Sequence, residues 1–113
     1  MRDPKRFTCP VEATLDVIGG KWKSIILYYL FEEGVHRFVE LRRKIPGISE
    51  RMLTQQLREL AKDDIVRRQA YAEVPPRVEY SLTEYGLTLA SVSEALCDWG
   101  EAHIERLKQA EAQ

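Results

Sequence analysis

The hydrophobic period of the chain changes at Asp63-Asp64. Upstream, apolar residues recur every three or four positions, at Trp22, Ile25, Ile26, Tyr29 and Leu30 and again at Leu53, Leu57, Leu60 and Ala61. That is the spacing of helices with one buried face. Downstream, IVRRQAYAEV and RVEYSLT alternate on either side of Pro75-Pro76, the period of two strands joined by a loop longer than a tight turn. Beyond Thr83 the helical period returns. A chain ordered in this way is limited to a mainly α fold with a small β-hairpin.

Punctuating residues set the boundaries. Pro10 suits a first helical position, where its missing N–H costs nothing, and Val11, Leu15 and Ile18 give that helix an apolar stripe that Gly19-Gly20 ends. KWKSIILYYLFEEG is a second helix stopped by Gly34, and His36 to Phe38 suit a very short strand. VELRRKI, residues 39–45, is a short helix that breaks at Pro46-Gly47. Ser49 then N-caps the next helix, and Thr83 the last. Residues 1–113 form a single domain, with no repeat or linker. The skeleton is that of a winged helix-turn-helix: a recognition helix at about 49–62, a wing at about 66–82, and a C-terminal dimerisation helix at about 84–110. The last helix would be roughly 40 Å long.

The helix after Ser49 carries Arg51, Thr54, Gln55, Arg58 and Lys62 on the stripe opposite its leucines. Such a helix fits the DNA major groove. Arginine can bridge guanine O6 and N7, glutamine can pair with adenine, and a threonine methyl can meet that of thymine. Arg42, Arg43 and Lys44 on the preceding helix, and Arg67, Arg68 and Arg77 on the hairpin, are placed for phosphates, which set register without reading sequence. The plain alternative is a solvated polar face. Glu50 and Glu59 on its flanks would exclude some bases or be solvated.

Net charge, −1, looks wrong for a DNA-binding chain until it is divided. Residues 36–79 hold ten basic and seven acidic residues, giving +3, whereas residues 80–113 hold two and six, giving −4. The positive part coincides with the polar-faced helix and hairpin. Other classes fall away. With 44% hydrophobic and 31% charged residues the chain is globular. No apolar run nears the roughly 20 residues of a membrane span, and MRDPKRFTCP has no apolar stretch of a signal peptide. A cytoplasmic protein with no membrane partner is expected. Two cysteines without a CxxC, and two scattered histidines, argue against a metal site, and nothing implies a cofactor. No nucleophile motif, phosphate loop or carboxylate pair suggests an enzyme.

Three linked segments, CPVEATLDVIGGKWKSIIL at 9–27, FVELRRKIPGISERMLTQQLREL at 38–60 and VPPRVEYSLTEYG at 74–86, resemble the HxlR-type family of bacterial winged-helix transcription regulators, relatives of the MarR type. The resemblance covers about residues 8–104. It implies a homodimer that regulates a nearby promoter, with the recognition helix starting at Ser49 and the wing around Pro75-Pro76. Asp64 departs from the family pattern, which usually has glycine there; aspartate tolerates the left-handed turn better than most residues.

In the last helix Leu82, Tyr85, Leu89, Val92, Leu96, Trp99 and His103 step by threes and fours, and Ile104 and Leu107 extend the apolar surface. The first half would pack on its own domain. Leu96, Trp99, His103, Ile104 and Leu107 are the candidate dimer interface, against the alternative of a helix wrapped wholly on one chain. Two-fold symmetry would present two recognition helices to half-sites about one or two DNA turns apart, hence a (pseudo)palindromic operator.

Cys9 precedes Pro10 at an N-cap position, where helix N–H groups favour a thiolate, with Lys5 and Arg6 close in sequence and Glu12 opposing. By resemblance, some family members sense electrophiles or oxidants through such a cysteine; an inert thiol is the other reading. Cys97 suits burial beside the Leu96–Trp99 seam, and a Cys9–Cys97 disulfide between subunits stays open. The expectation is a sequence-specific regulator, a repressor in direction, binding double-stranded DNA as a homodimer. A winged-helix module that binds only protein is the competitor, and would need an acidic or apolar patch where the donor face lies.

Overall fold

A computed structural model describes residues 3–112. After a single 3₁₀ turn at Pro4–Arg6 the order is α1 (Pro10–Ile18), α2 (Trp22–Glu33), β1 (His36–Arg37), α3 (Phe38–Lys44), α4 (Glu50–Lys62), β2 (Val66–Tyr71), β3 (Arg77–Leu82), a second 3₁₀ turn at Gly86–Leu89, and α5 (Ala90–Glu111). The hairpin is one part of a three-stranded antiparallel sheet ordered β1-β3-β2. Val66 faces Leu82 and Tyr71 faces Arg77 across the hairpin, and His36 pairs with Tyr80. The fold is the mainly α winged helix-turn-helix that the periodicity implies.

The core lies where α2, α3, α4 and the base of the hairpin meet. α4 contributes Leu53, Leu57 and Leu60, all at most 1% exposed, and α2 contributes Ile26, Leu27 and Leu30. The turn between α3 and α4 buries Ile45 and Ile48 on either side of Pro46-Gly47, with Gly47 at φ 87. Glycine takes this left-handed backbone without the Cβ clash that other residues meet.

Asp64 takes the left-handed position expected of it, at φ 59. Its N–H reaches the Ala61 carbonyl at 3.0 Å, and the Ile65 N–H reaches that of Leu60 at 2.9 Å. These two bonds are a Schellman closure, which turns the chain from α4 into β2.

Two expectations change. Only Ile18 of the α1 stripe is buried; Val11 is 65% and Leu15 57% exposed. α1 reaches the core through its last turn, Val17 and Ile18, and among the described residues its earlier apolar side chains stay more than half exposed. The last helix also begins at Ala90, not near Glu84. Thr83 caps the turn before it: its hydroxyl accepts from the Gly86 N–H at 2.8 Å and also donates to the Asp64 carbonyl at 2.5 Å. Gly86 packs so tightly that a Cβ there would lie 2.1 Å from the Ile65 carbonyl oxygen. The chain therefore makes a tight 3₁₀ turn against the α4–β2 corner before α5 starts. At 1.5 Å per residue, the 22 residues of α5 span about 33 Å. No residue of α5 is fully buried, and from Glu101 to Ala112 every residue is exposed.

Candidate nucleic-acid interface

α4 begins where Ser49, in extended backbone, accepts the Met52 N–H on its hydroxyl at 3.0 Å, satisfying one orphan donor of the first turn. With Leu53, Leu57 and Leu60 locked inward, the 3.6-residue period turns Arg51, Thr54, Gln55, Arg58 and Lys62 outward, and all five are exposed. The Thr54 hydroxyl bonds back to the Glu50 carbonyl at 2.9 Å. Among the described residues Arg51, Arg58 and Lys62 make no ion pair, so their donors are available to an incoming partner.

The acids flanking this face are spoken for. Glu59 turns back to α2, where its carboxylate meets the Lys23 ammonium at 3.2 Å; Lys23 is only 8% exposed. Glu59 is thus a strut between α2 and α4, a role that neither of the two sequence readings gave it. Glu50 meets Arg42 at 3.5 Å, with both side chains more than half exposed. An exposed pair of this kind contributes about 0–1 kcal/mol, so Arg42 can exchange it for a phosphate at little cost.

The candidate phosphate contacts divide into two groups. Arg43 and Arg68 are exposed and make no ion pair among the described residues, while Arg67 donates to Gln69 at 2.5 Å. Lys44 and Arg77 stand otherwise. Lys44, half-buried at the end of α3, donates to Glu33 at 2.9 Å and lies 2.7 Å from Nε2 of buried His36. His36 Nδ1 lies 2.7 Å from the Gly34 carbonyl. With Nδ1 donating there, Nε2 is free to accept from Lys44. The Lys44 bond also holds the Glu33 carboxyl below its usual pKa. Arg77 lies over the Tyr71 ring at 3.9 Å, with Glu73 at 3.0 Å and Glu79 at 3.5 Å. Two carboxylates already balance its charge, so it stiffens the wing more than it advertises a cation.

Lys23 could have been found from sequence, because it shares the spacing of Ile26, Leu27 and Leu30 on α2 and so falls on the inner face. The Lys44–His36–Glu33 cluster could not, since it depends on how the ends of α2 and α3 meet the sheet edge.

Cys9 sits at the N-cap of α1, exposed and in extended backbone, with no hydrogen bond from its side chain to the helix end. Glu12 folds back onto the residue before the cap, accepting at one oxygen from the Thr8 hydroxyl at 2.5 Å and the Thr8 N–H at 3.0 Å. These bonds, the hydroxyl's foremost, push the Glu12 pKa down and keep it anionic. Of the cations expected near the thiol, Arg6 pairs with Asp16 at 3.4 Å, and the side chain of Lys5 lies outside the described residues. Cys97 is half-buried on α5; burial first, then Glu32, Glu101, Asp98 and Glu94, pushes its thiol pKa up. Leu96 is 52%, Trp99 70%, Ile104 54% and Leu107 53% exposed. His103 is exposed as well, stacked on Trp99 at 5.0 Å.

No helix among the described residues is long and apolar enough to cross a membrane. No group of three His, Cys, Asp or Glu among them could hold a metal ion.

Comparison with known proteins agrees with this geometry. Residues 17–108 match the HxlR-like helix-turn-helix family. The HTH-type transcriptional regulator YdeP of Bacillus subtilis (strain 168) is 55% identical over 104 residues, covering 92% of this chain and 80% of that protein. Among solved structures, the redox regulator HypR in its oxidised form is 57% identical with a TM-score of 0.79, covering 83% of this chain and 96% of that one. Its reduced form is 53% identical with a TM-score of 0.82, covering 89% and 99%.

Proposed function

The chain belongs to the HxlR-like helix-turn-helix family of DNA-binding transcription regulators, which are not enzymes, and we propose that it acts as a homodimeric repressor of a (pseudo)palindromic operator. The observation that carries this reading is the outward face of α4, where Arg51, Thr54, Gln55, Arg58 and Lys62 are all exposed and the three cations are unpaired among the described residues. In the major groove Arg58 and Arg51 suit guanine, Gln55 suits adenine, and the Thr54 methyl suits thymine. Ser49, at the helix start, lies where backbone N–H groups meet a phosphate. Arg42, Arg43, Arg67 and Arg68 supply further phosphate contacts on both sides. Lys44 and Arg77 act in this account as internal braces that hold α3 and the wing. A module that binds only protein is disfavoured, because the same face is neither acidic nor apolar.

The dimer reading rests on apolar surface that one chain leaves uncovered. Leu96, Trp99, Ile104 and Leu107 on α5 and Val11 and Leu15 on α1 are each more than half exposed, beyond what isolated surface residues account for. His103 joins them through its stack on Trp99.

Cys9 is the proposed point of response to an oxidant or electrophile. It is the exposed thiol of the two, whereas burial and acidic neighbours push the Cys97 thiol pKa up. With a hydroperoxide, the Cys9 thiol would take one oxygen to become the sulfenic acid and release an alcohol or water. The relative HypR is described as a redox regulator with oxidised and reduced forms.

Fluorescence-anisotropy titration against the promoter region of the chain's own gene, at two salt concentrations, tests the main claim. Binding that depends on both sequence and salt is expected; indifference to both removes it. Repeating the titration after oxidant treatment, for the parent and Cys9→Ser, tests the thiol. An equal response of the two proteins would exclude Cys9 as the sensor.

A further inference from the structure

Trp99 is 70% exposed, and among the described residues its ring stacks on His103. One turn back along α5, Ser93, Leu96 and Cys97 face Ile25, Tyr28 and Tyr29 of α2 across a cleft of about 240 Å³. A large, mostly exposed ring on α5 thus lies within a turn of an open, mainly apolar cleft between α5 and α2. We propose, resting on the dimer reading above, that this cleft receives Trp99 of the partner subunit, each chain giving one knob and one hole.

Size is the first argument. The cleft is smaller than the roughly 300–1,000 Å³ of a pocket for a drug-sized ligand, and suits one aromatic side chain. Tyr28 and Tyr29 pack edge to face at 5.1 Å and 81°, presenting ring edges and faces in the geometry aromatic clusters favour. Charge is the second argument. Glu32 on α2 and Glu94, Asp98 and Glu101 on α5 lie close enough to raise the pKa of Cys97, and Glu32 and Glu101 raise that of Tyr28. An anionic effector would be repelled there. An indole is neutral and carries a single N–H donor, which an acidic rim accepts.

Symmetry is the third. A two-fold interface is self-complementary, so a knob that fills its partner's hole is matched by the reciprocal contact, and a knob and hole close together on one chain put the axis between them. Leu96 in the hole and Trp99 as the knob are three residues apart, about 4.5 Å along the helix. The axis would therefore meet α5 at the level between Leu96 and Trp99, with the two α5 helices crossing there. An indole buries about 150–250 Å², and Leu96, Ile104 and Leu107 continue the apolar surface toward the ~800 Å² per partner of a stable interface. One consequence is that Cys97 is covered in the dimer.

The test uses the full chain. Sedimentation first fixes the concentrations at which it is dimer and monomer. The emission of Trp99 is then isolated by subtracting the spectrum of Trp99→Phe from that of the parent, which leaves out Trp22. In a Cys9→Ser background, the rate at which an aromatic disulfide reagent labels Cys97 is measured at both concentrations. The expected result is blue-shifted, iodide-protected Trp99 emission in the dimer and Cys97 labelling slowed about tenfold or more. Truncation to Trp99→Ala should weaken the dimer by about tenfold or more, as for a central interface aromatic. A stable dimer with solvent-like Trp99 emission and unprotected Cys97 overturns the knob and leaves the dimer standing. A chain that is monomeric at every concentration overturns both.

Discussion

Removing Glu59 should harm the protein more than removing the lysine it holds. Lys23 is 8% exposed and its ammonium has Glu59 as its ion-pair partner at 3.2 Å; the Glu59 side chain is 43% exposed. Breaking a fully buried pair costs about 3–5 kcal/mol and an exposed one about 0–1 kcal/mol. With one partner buried and the other half in water, Glu59→Ala should cost about 1–3 kcal/mol, mostly by stranding a desolvated ammonium. Lys23→Met removes the buried charge, keeps a side chain of similar length, and leaves Glu59 to water, so it should stay within about 1 kcal/mol of the parent. The double variant should resemble Lys23→Met alone. Urea midpoints for the four proteins, at one fixed protein concentration, close the cycle. If Lys23→Met costs as much as Glu59→Ala, or the two costs add within about 0.5 kcal/mol, the strut reasoning fails.

Three further outcomes are expected. Arg58→Ala should lose about 1–3 kcal/mol of binding at one base position and relax preference there, read by competition with operators substituted base by base; an even loss at all positions would contradict it. Arg43→Ala should lower the slope of log affinity against log salt by about one, whereas Arg77→Ala, whose charge Glu73 and Glu79 already balance, should leave that slope nearly unchanged; the reverse order would reinstate Arg77 as a phosphate contact. The Lys44 hydrogen bond lowers the Glu33 pKa, so its contribution to stability is present above the unfolded value of about 4.3. It is lost as pH falls through the lower folded value. Glu33→Gln should thus be less stable than the parent at neutral pH and show a shallower acid decline of the urea midpoint.

The elements were legible wherever period and punctuation agreed. Leu53, Leu57 and Leu60 identify the inner face of α4, and that face alone fixes which side Arg58 occupies. Ser49, Pro46-Gly47 and Asp64 set the ends of α4 through local backbone chemistry, which a sequence carries directly. What escaped were contacts between elements distant in the chain. Thr83 reads from sequence as a helix cap, and it does cap the turn that leads into α5 through the Gly86 N–H, but its second bond, to the Asp64 carbonyl, joins elements distant in the chain and could not be read there. Val11 and Leu15 have the spacing of a buried stripe, yet α1 is too short and too peripheral to bury them on its own domain. Lys44 and Arg77 show the limit of counting charges: each is a cation in sequence, but in space Lys44 is paired with Glu33 and Arg77 with Glu73 and Glu79.

Whether the α4 face enters the major groove is most directly measured by guanine N7 methylation protection on the bound promoter, since that atom lies on the major-groove edge. Two patches of protected guanines, centred about 10 base pairs or a multiple apart, and lost in Arg51→Ala/Arg58→Ala, are the predicted result. Tight binding that leaves every guanine N7 as reactive as in free DNA would contradict the account.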